Sequence, residues 1–335
     1  MSTVVTTWAT VLSEARTDPG WHVRQVYPGA HCDLLAGIHQ PNGVPGLLLE
    51  TALDHVPSSL ALPRSAGFEV DTSVVRGPAS GRVRFALMLT DPNFAEVFSV
   101  LCEDVAAATA EAESSRAAVR SWIGRLHAWQ AFMAKHGASG LSEAATVGLI
   151  GELLVLHEKV IPEAGVRSAL DTWAGPLGEP NDFSFPHGFV EVKTTTSQMP
   201  EALEIANAAQ LDDTRGAILL VHIHLRPDPT GTSLPQLVTS IRGTVIDHAP
   251  DRAAQFNRLL MSAGYLDVQA DLYTTGYVHE WTEIYDVRGE FPRIRGSEIR
   301  RGIRKCRYSV ELQACAPYLT SESALSAMIG GLNVG

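Results

Sequence analysis

The sequence predicts an α/β protein: a central mixed sheet flanked by helices, preceded by an antiparallel β-rich N-terminal domain and a helical bridge. Three observations carry this. Between Trp21 and about Ser99, short apolar runs (HVRQVY, CDLLAGIH, PGLLLET, GFEVDTSVV, GRVRFALMLT) are separated by Pro-Gly, Pro-Asn-Gly and Gly-Pro turns, the spacing of antiparallel strands. From Phe94 to about Lys135 the apolar period lengthens, with Phe98, Leu101, Val105, Val119, Trp122, Ile123, Leu126 and Trp129 in helical stripes. From Leu141 onward helix and strand patterns alternate. The expected boundaries are residues 1–102, 103–140, 141–225 and 226–335.

Taken in order, residues 1–16 read as a short helix ended by Asp18-Pro19-Gly20. His22, His31 and His39, in the strand-rich stretch, are too dispersed for a metal cluster. The Ala-rich, acidic run Val105 to Ala118 is a good helix former, and Lys135-His136-Gly137 to Gly140 breaks the helical bridge. Next comes a strongly apolar helix, about 143–160, capped by Ser142. Glu152 is its one acid between Glu143 and Glu158. Either Glu152 lies on a narrow polar edge with Thr146 or His157, or it is an acid aimed at a site, since a lone carboxylate among apolar neighbours is costly. A helix at about 201–211, carrying Glu204, Asn207 and Gln210, precedes a buried central strand from Ala217 to Leu225. On that strand His222 and His224 read as a satisfied or interface pair. Arg226 to Gly231 reads as a loop, Leu234 to Met261 as helix broken at His248-Ala249-Pro250, and TGYVHEW, TEIYDVR and RYSVELQAC as strands. The tail from Ala316 reads as a small helix with frayed Gly-rich residues.

Composition narrows the function classes. The chain has 335 residues, 45% of them hydrophobic and 19% charged, as in an ordinary globular protein. No apolar run approaches the roughly 18 residues of a membrane span, and the first residues lack the basic start and apolar centre of a signal peptide. Cys32, Cys102, Cys306 and Cys315 are scattered, against both a zinc site and a disulfide framework; a reducing cytoplasm fits. The net charge of −11 is unfavourable for nucleic-acid contact. Against it, Arg288, Arg293, Arg295, Arg300, Arg301, Arg304, Lys305 and Arg307 are opposed only by Glu290 and Glu298, while acids gather in Glu103, Asp104, Glu111 and Glu113. That basic segment reads equally as a solvated loop and helix or as a nucleic-acid grip. No phosphate-binding loop, dinucleotide fingerprint, HExxH or GxSxG is present.

The chemistry concentrates between Trp173 and Thr196. Two strands joined around Pro186-His187-Gly188 make a hairpin. On the second, Val190 and Val192 point one way and Glu191 and Lys193 the other. Asp182 stands at the start of the first, beside them. Two carboxylates and an ammonium at one spot suit Mg²⁺, which binds one or two protein carboxylates plus substrate phosphates. Asp182 followed by Glu191-Val192-Lys193 resembles the PD-(D/E)XK nuclease signature, with Pro180-Asn181-Asp182 carrying one residue more than that family's Pro-Asp. The other reading of these residues is a turn aspartate with a solvent-facing Glu/Lys pair on an edge strand. GLIGEL, Trp173-Ala174-Gly175-Pro176, Asn181-Asp182-Phe183 and Glu191 to Thr195 together resemble a narrower bacterial family described as PD-(D/E)XK motif proteins, often encoded among restriction and phage-defence genes.

The resemblance implies a restriction-endonuclease-like core in the order helix, strand, Asp182 strand, Glu191/Lys193 strand, helix, strand. It implies Mg²⁺, with Mn²⁺ as a substitute, held by Asp182, Glu191, Glu152 and the backbone carbonyl of Val192. Lys193 would orient the attacking water, with Gln210, Asn207 or Thr194 in accessory roles. Thr194 to Ser197 also read simply as polar strand-end residues. The implied partner is DNA, with other defence-system proteins or a homo-oligomer compatible. The alternative is a non-catalytic DNA-binding or assembly subunit of a defence complex.

Overall fold

The computed structural model describes residues 3–14, 17–57, 61–65, 67–75, 81–136, 139–197, 201–303 and 305–330. Arg304, one of the basic residues above, and the Gly-rich end of the tail lie outside them. The chain forms two compact units, residues 1–140 and 141–335.

In the first unit, α1 (Thr3–Ser13) precedes five strands: β1 (Gly20–Val26), β2 (Asp33–Gln40), β3 (Val44–Ala52), β4 (Phe68–Val74) and β5 (Arg82–Leu89). All pair antiparallel in the order β1-β2-β3-β5-β4. Two helices follow, α2 (Ala95–Ala110) and α3 (Ser115–His136). The apolar stripes face inward: Phe98, Leu101, Val105, Trp122 and Trp129 are fully buried. Two acids from the acidic run have structural work. Glu103 accepts from Thr3 N and Val4 N at 2.9 and 2.8 Å, satisfying donors that the start of α1 leaves open. Asp104 pairs with Arg125 and accepts from Trp129 Nε1 at 2.8 Å.

The second unit opens with α4 (Glu143–Val155), whose N-terminus Ser142 caps through Ala145 N. The helix widens into a π turn at Leu156–Val160 and continues as α5 (Ile161–Thr172); Pro162 lacks an N–H, so the regular ladder cannot run through unchanged. The strands are β6 (Phe183–Phe185), β7 (Gly188–Thr195), β8 (Ala202–Ile205), β9 (Ala217–Ser233), β10 (Gly276–Asp286), β11 (Tyr308–Glu311) and β12 (Leu319–Thr320). The helices α6 (Leu234–His248), α7 (Ala253–Ala263), α8 (Leu312–Cys315) and α9 (Glu322–Gly330) complete the unit. The main sheet has the order β12-β10-β9-β7-β6, with β7 and β9 parallel and the other pairs antiparallel. Because side chains alternate, Val190 and Val192 of β7 enter one core with Leu153, Leu170, Leu237 and Ile241 from the helices. On the other face Phe189 meets a second core made with Leu203, Ile205 and Val310, from the small sheet β8–β11.

Three expectations are corrected. No strand lies between α4 and the Asp182 hairpin; α5 occupies that stretch, and Trp173 makes only an isolated bridge to Phe183. Residues 201–211 are not a helix: Leu203 and Ile205 point inward from β8, whose partner β11 lies far along the chain, and a short 3₁₀ turn, Ala208–Leu211, follows. The Arg226–Gly231 loop is instead part of β9. That strand swings out after Pro227 and pairs again at Ser233 with Gly276. A side chain on Gly231 would strike the Tyr277 backbone at 2.4 Å, so the re-pairing needs glycine there.

Candidate active site

The hairpin β6–β7 sets the geometry. Its pairing ends at Phe183–Val190, so beyond Val190 the edge of β7 is open. Asp182 fills that edge: its Oδ2 accepts from Val192 N at 2.7 Å. A strand residue's N–H and C=O lie on the same side, so the Val192 carbonyl faces the same edge. Asp182 is itself fixed through its own carbonyl, which accepts from Ala174 N at 2.8 Å and Gly175 N at 3.0 Å.

Glu152 arrives from α4. Its Oε2 accepts from Trp173 Nε1 at 2.9 Å. The two acids meet at Gly175. A Cβ built there would stand 2.8 Å from Asp182 Oδ1 and 3.2 Å from Glu152 Oε2. The segment Trp173-Ala174-Gly175 therefore holds both acids and brings them close to one backbone position.

Glu191 lies on the opposite face of β7 from Val190 and Val192 and is 1% exposed. Its Oε1 accepts from Lys193 Nζ at 2.7 Å and from Gln210 Nε2 at 2.7 Å. The Gln210 amide is oriented without ambiguity, because its Oε1 accepts from Lys193 Nζ at 3.1 Å and Ala206 N at 2.9 Å. Among the described residues, Glu191 Oε2 receives only a long contact, 3.4 Å from Asn181 Nδ2. Moving a carboxylate out of water costs several kcal/mol, and hydrogen bonds to a charged acceptor contribute about 1.5–3 kcal/mol each. The bonds on Oε1 offset much of that cost; Oε2 is under-supplied.

The electrostatics follow. Burial pushes the Asp182 carboxyl up to about 6, against the Val192 N–H and the Lys193 ammonium. Burial raises Glu191 well above the usual carboxylate range, and the charges of Asp182 and Glu152 add to it, while Lys193 opposes. Three carboxyl groups thus share one ammonium around the buried Glu191, where ionising all three is costly and a divalent cation would offset that cost.

The donor set tests that fit. Among the described residues no three acidic, histidine or cysteine side chains stand close enough to enclose a metal by themselves. Hard oxygens are nevertheless available around Asp182: its own Oδ1 beside Gly175, Glu191 Oε2 with its one long contact, and the Val192 carbonyl. Mg²⁺ commonly takes one or two protein carboxylates and completes its shell with water and phosphate, so these residues fit it.

The accessory residues divide. Gln210 stands within the cluster, on a 3₁₀ turn and not a helix. Asn207 accepts from Ala209 N at 3.1 Å, capping its own turn. Thr194 packs against α4; a Cβ on Gly151 would stand 1.9 Å from its Oγ1, which is buried and has no hydrogen-bond partner among the described residues. His222 and His224 flank Trp281, at 4.9 and 4.8 Å between ring centres, with His222 Nε2 2.8 Å from Thr195 Oγ1 and His224 Nε2 2.6 Å from the Ser197 carbonyl.

Four supporting residues had no role assigned from sequence. Trp173 and Gly175 were visible only as parts of a motif. Asn181, the additional residue before Asp182, is 1% exposed and donates to the Gln210 carbonyl at 2.7 Å. Its Oδ1 accepts from Arg215 Nη2 at 2.6 Å, and Arg215 lies 4.4 Å over the Phe189 ring. The insertion thus leaves Asp182 in contact with β7 and adds a buried tie behind Glu191.

The model of the family described as "Putative PD-(D/E)XK family member" (DUF4420) matches residues 5–313. No curated protein and no solved structure matches the chain.

Proposed function

From the premise that this chain belongs to the DUF4420 family of PD-(D/E)XK-type proteins, we propose that it is a metal-dependent endonuclease hydrolysing DNA phosphodiester bonds. One observation carries the reading most: Asp182 Oδ1 and Glu152 Oε2 both come close to Gly175, while Asp182 Oδ2 is bonded to the strand that bears Glu191 and Lys193.

Asp182, Glu191 and the Val192 carbonyl would hold Mg²⁺ or Mn²⁺, with Glu152 at the rim. A bound divalent ion would lower the pKa of a water and offset charge on the scissile phosphate. The chain's own residues do the positioning. Gln210 and Glu191 fix the Lys193 ammonium at the cluster's edge, where it holds the attacking water and counters negative charge developing on the phosphate. Attack of water on phosphorus forms one P–O bond and breaks one ester bond, and the departing oxygen takes up a proton. Trp173 Nε1 holds Glu152, and the Ala174 and Gly175 amides hold Asp182 through its carbonyl. A place in a bacterial restriction or phage-defence system rests on the family resemblance alone. Among the described residues, no helix is long and apolar enough to cross a membrane.

The test is plasmid DNA incubated with purified protein and Mg²⁺ or Mn²⁺, beside Asp182→Ala and Lys193→Ala. Nicking or linearisation by the wild type, lost in both variants, is expected. Equal activity in all three removes the assignment.

A further inference from the structure

The C-terminal basic segment divides into two groups. Arg293 Nη2 is 2.6 Å from Asp213 Oδ2, Arg295 Nε is 3.2 Å from Asp213 Oδ1, and Arg288 pairs with Asp286 at 3.2 Å. These three serve the fold. Arg300, Arg301, Lys305 and Arg307 are exposed, and no ion pair is formed by any of them among the described residues.

The two groups occupy different parts of one loop. Its base is closed where Ile294 N donates to Tyr308 Oη at 3.2 Å. On one side of the base, Gly296 N donates to Asp212 Oδ2 at 2.8 Å, beside the Arg293 and Arg295 pairs to Asp213. On the other side, Tyr308 begins β11 and pairs with Ile205 at the end of β8. Both anchors therefore lie on the segment 205–213, which carries Gln210. Gln210 in turn contacts Glu191 and Lys193. The paired arginines anchor the base of the loop to the segment that carries Gln210, and the unpaired cations of the same loop are exposed.

Four exposed cations close in sequence, with no ion pair among the described residues, repel one another. In a chain of net charge −11, solubility does not require them. A polyanion reaching the neighbouring site supplies the missing counter-charge. We infer that Arg300, Arg301, Lys305 and Arg307 form a phosphate-backbone grip that seats duplex DNA next to the Asp182–Glu191–Lys193 cluster. This deepens the hydrolase reading and rests on it for the identity of the bound strand. The contacts are to backbone phosphates, so they position the duplex without reading sequence.

The test is the salt dependence of binding. A short fluorescent DNA duplex is titrated with the full chain in EDTA, so that no cleavage occurs. The comparison is a variant carrying Arg300→Gln, Arg301→Gln, Lys305→Gln and Arg307→Gln. Each lost phosphate contact lowers the slope of log affinity against log salt by about 0.9, so a fall of about 3 to 4 is expected. All four side chains are exposed, and Mn²⁺ uptake measured by calorimetry should be unchanged in the variant. An unchanged slope overturns the grip, as does a wild type that binds no duplex at low salt. A wild type that binds DNA through these residues but takes up no Mn²⁺ supports the grip and removes the hydrolase reading.

Discussion

Trp173 Nε1 donates to Glu152 Oε2 at 2.9 Å, and the two backbone amides after Trp173 donate to the Asp182 carbonyl at 2.8 and 3.0 Å. One short segment therefore sets the distance between an acid on a helix and an acid at a strand edge. The spacing does not depend on direct contact between two repelling carboxylates. This arrangement makes the close packing at Gly175 a sensitive point of the site.

Gly175→Ala should empty the site of function without unfolding it. Its backbone lies outside the left-handed region, and the new Cβ would meet Asp182 Oδ1 at 2.8 Å and Glu152 Oε2 at 3.2 Å. A loss of at least about tenfold in Mn²⁺ affinity, about 1.4 kcal/mol, is expected, beside an overpacking cost of about 1–3 kcal/mol in stability. Calorimetry and a melting curve on the same sample check both halves.

Gly151→Ala tests how closely α4 must approach β7. The added Cβ would stand 1.9 Å from Thr194 Oγ1 and 3.1 Å from Thr194 Cβ. Overpacking of this kind costs about 1–3 kcal/mol. Thr194→Ala alone should cost little, since its hydroxyl is already unpartnered, and the double variant should recover much of the loss. A double-mutant cycle in urea would show a stabilising coupling between the two changes; simple additivity would contradict the close approach.

Arg215→Met should act on Glu191 from a distance. Without the guanidinium, Asn181 Oδ1 loses its 2.6 Å donor, and the amide beside Glu191 is held by the Gln210 carbonyl alone. Leaving a buried polar group unpaired costs about 1–3 kcal/mol. Urea unfolding should show that loss, and metal affinity should fall with it; unchanged values for both would remove Asn181 from the support of the site.

The raised Asp182 carboxyl sets a pH dependence. Its folded pKa of about 6 exceeds the ordinary 3.8, so between these values the folded state binds more protons than the unfolded one. Stability from this group is complete below about 3.8 and is lost as pH rises through about 6. Metal-free wild type should therefore lose up to about 3 kcal/mol relative to Asp182→Asn across that window. Melting temperatures in EDTA from pH 4 to 7 measure it; an opposite trend between the two proteins contradicts the assigned burial.

The site's chemistry was legible because it is local. Alternation alone puts Glu191 and Lys193 on one face of β7, and one turn brings Asp182 beside them. The supporting residues were not legible, because each acts across a long separation: Trp173 on Glu152, Arg215 on Asn181, Gln210 on Glu191. The stretch at 201–211 misleads for a similar reason. Four residues with alternating burial are too few to distinguish periods, and the partner that makes β8 a strand lies near residue 310. At Arg226–Gly231 the two prolines read as a loop, yet the strand leaves its partner and rejoins it through glycines at 231 and 276.

The account stands most directly on a calorimetric titration of Mn²⁺ into wild type, Asp182→Asn and Glu191→Gln. Saturable uptake by the wild type, weakened at least about tenfold in each variant, is the predicted result. Equal heats from all three proteins, or none from the wild type, would contradict it.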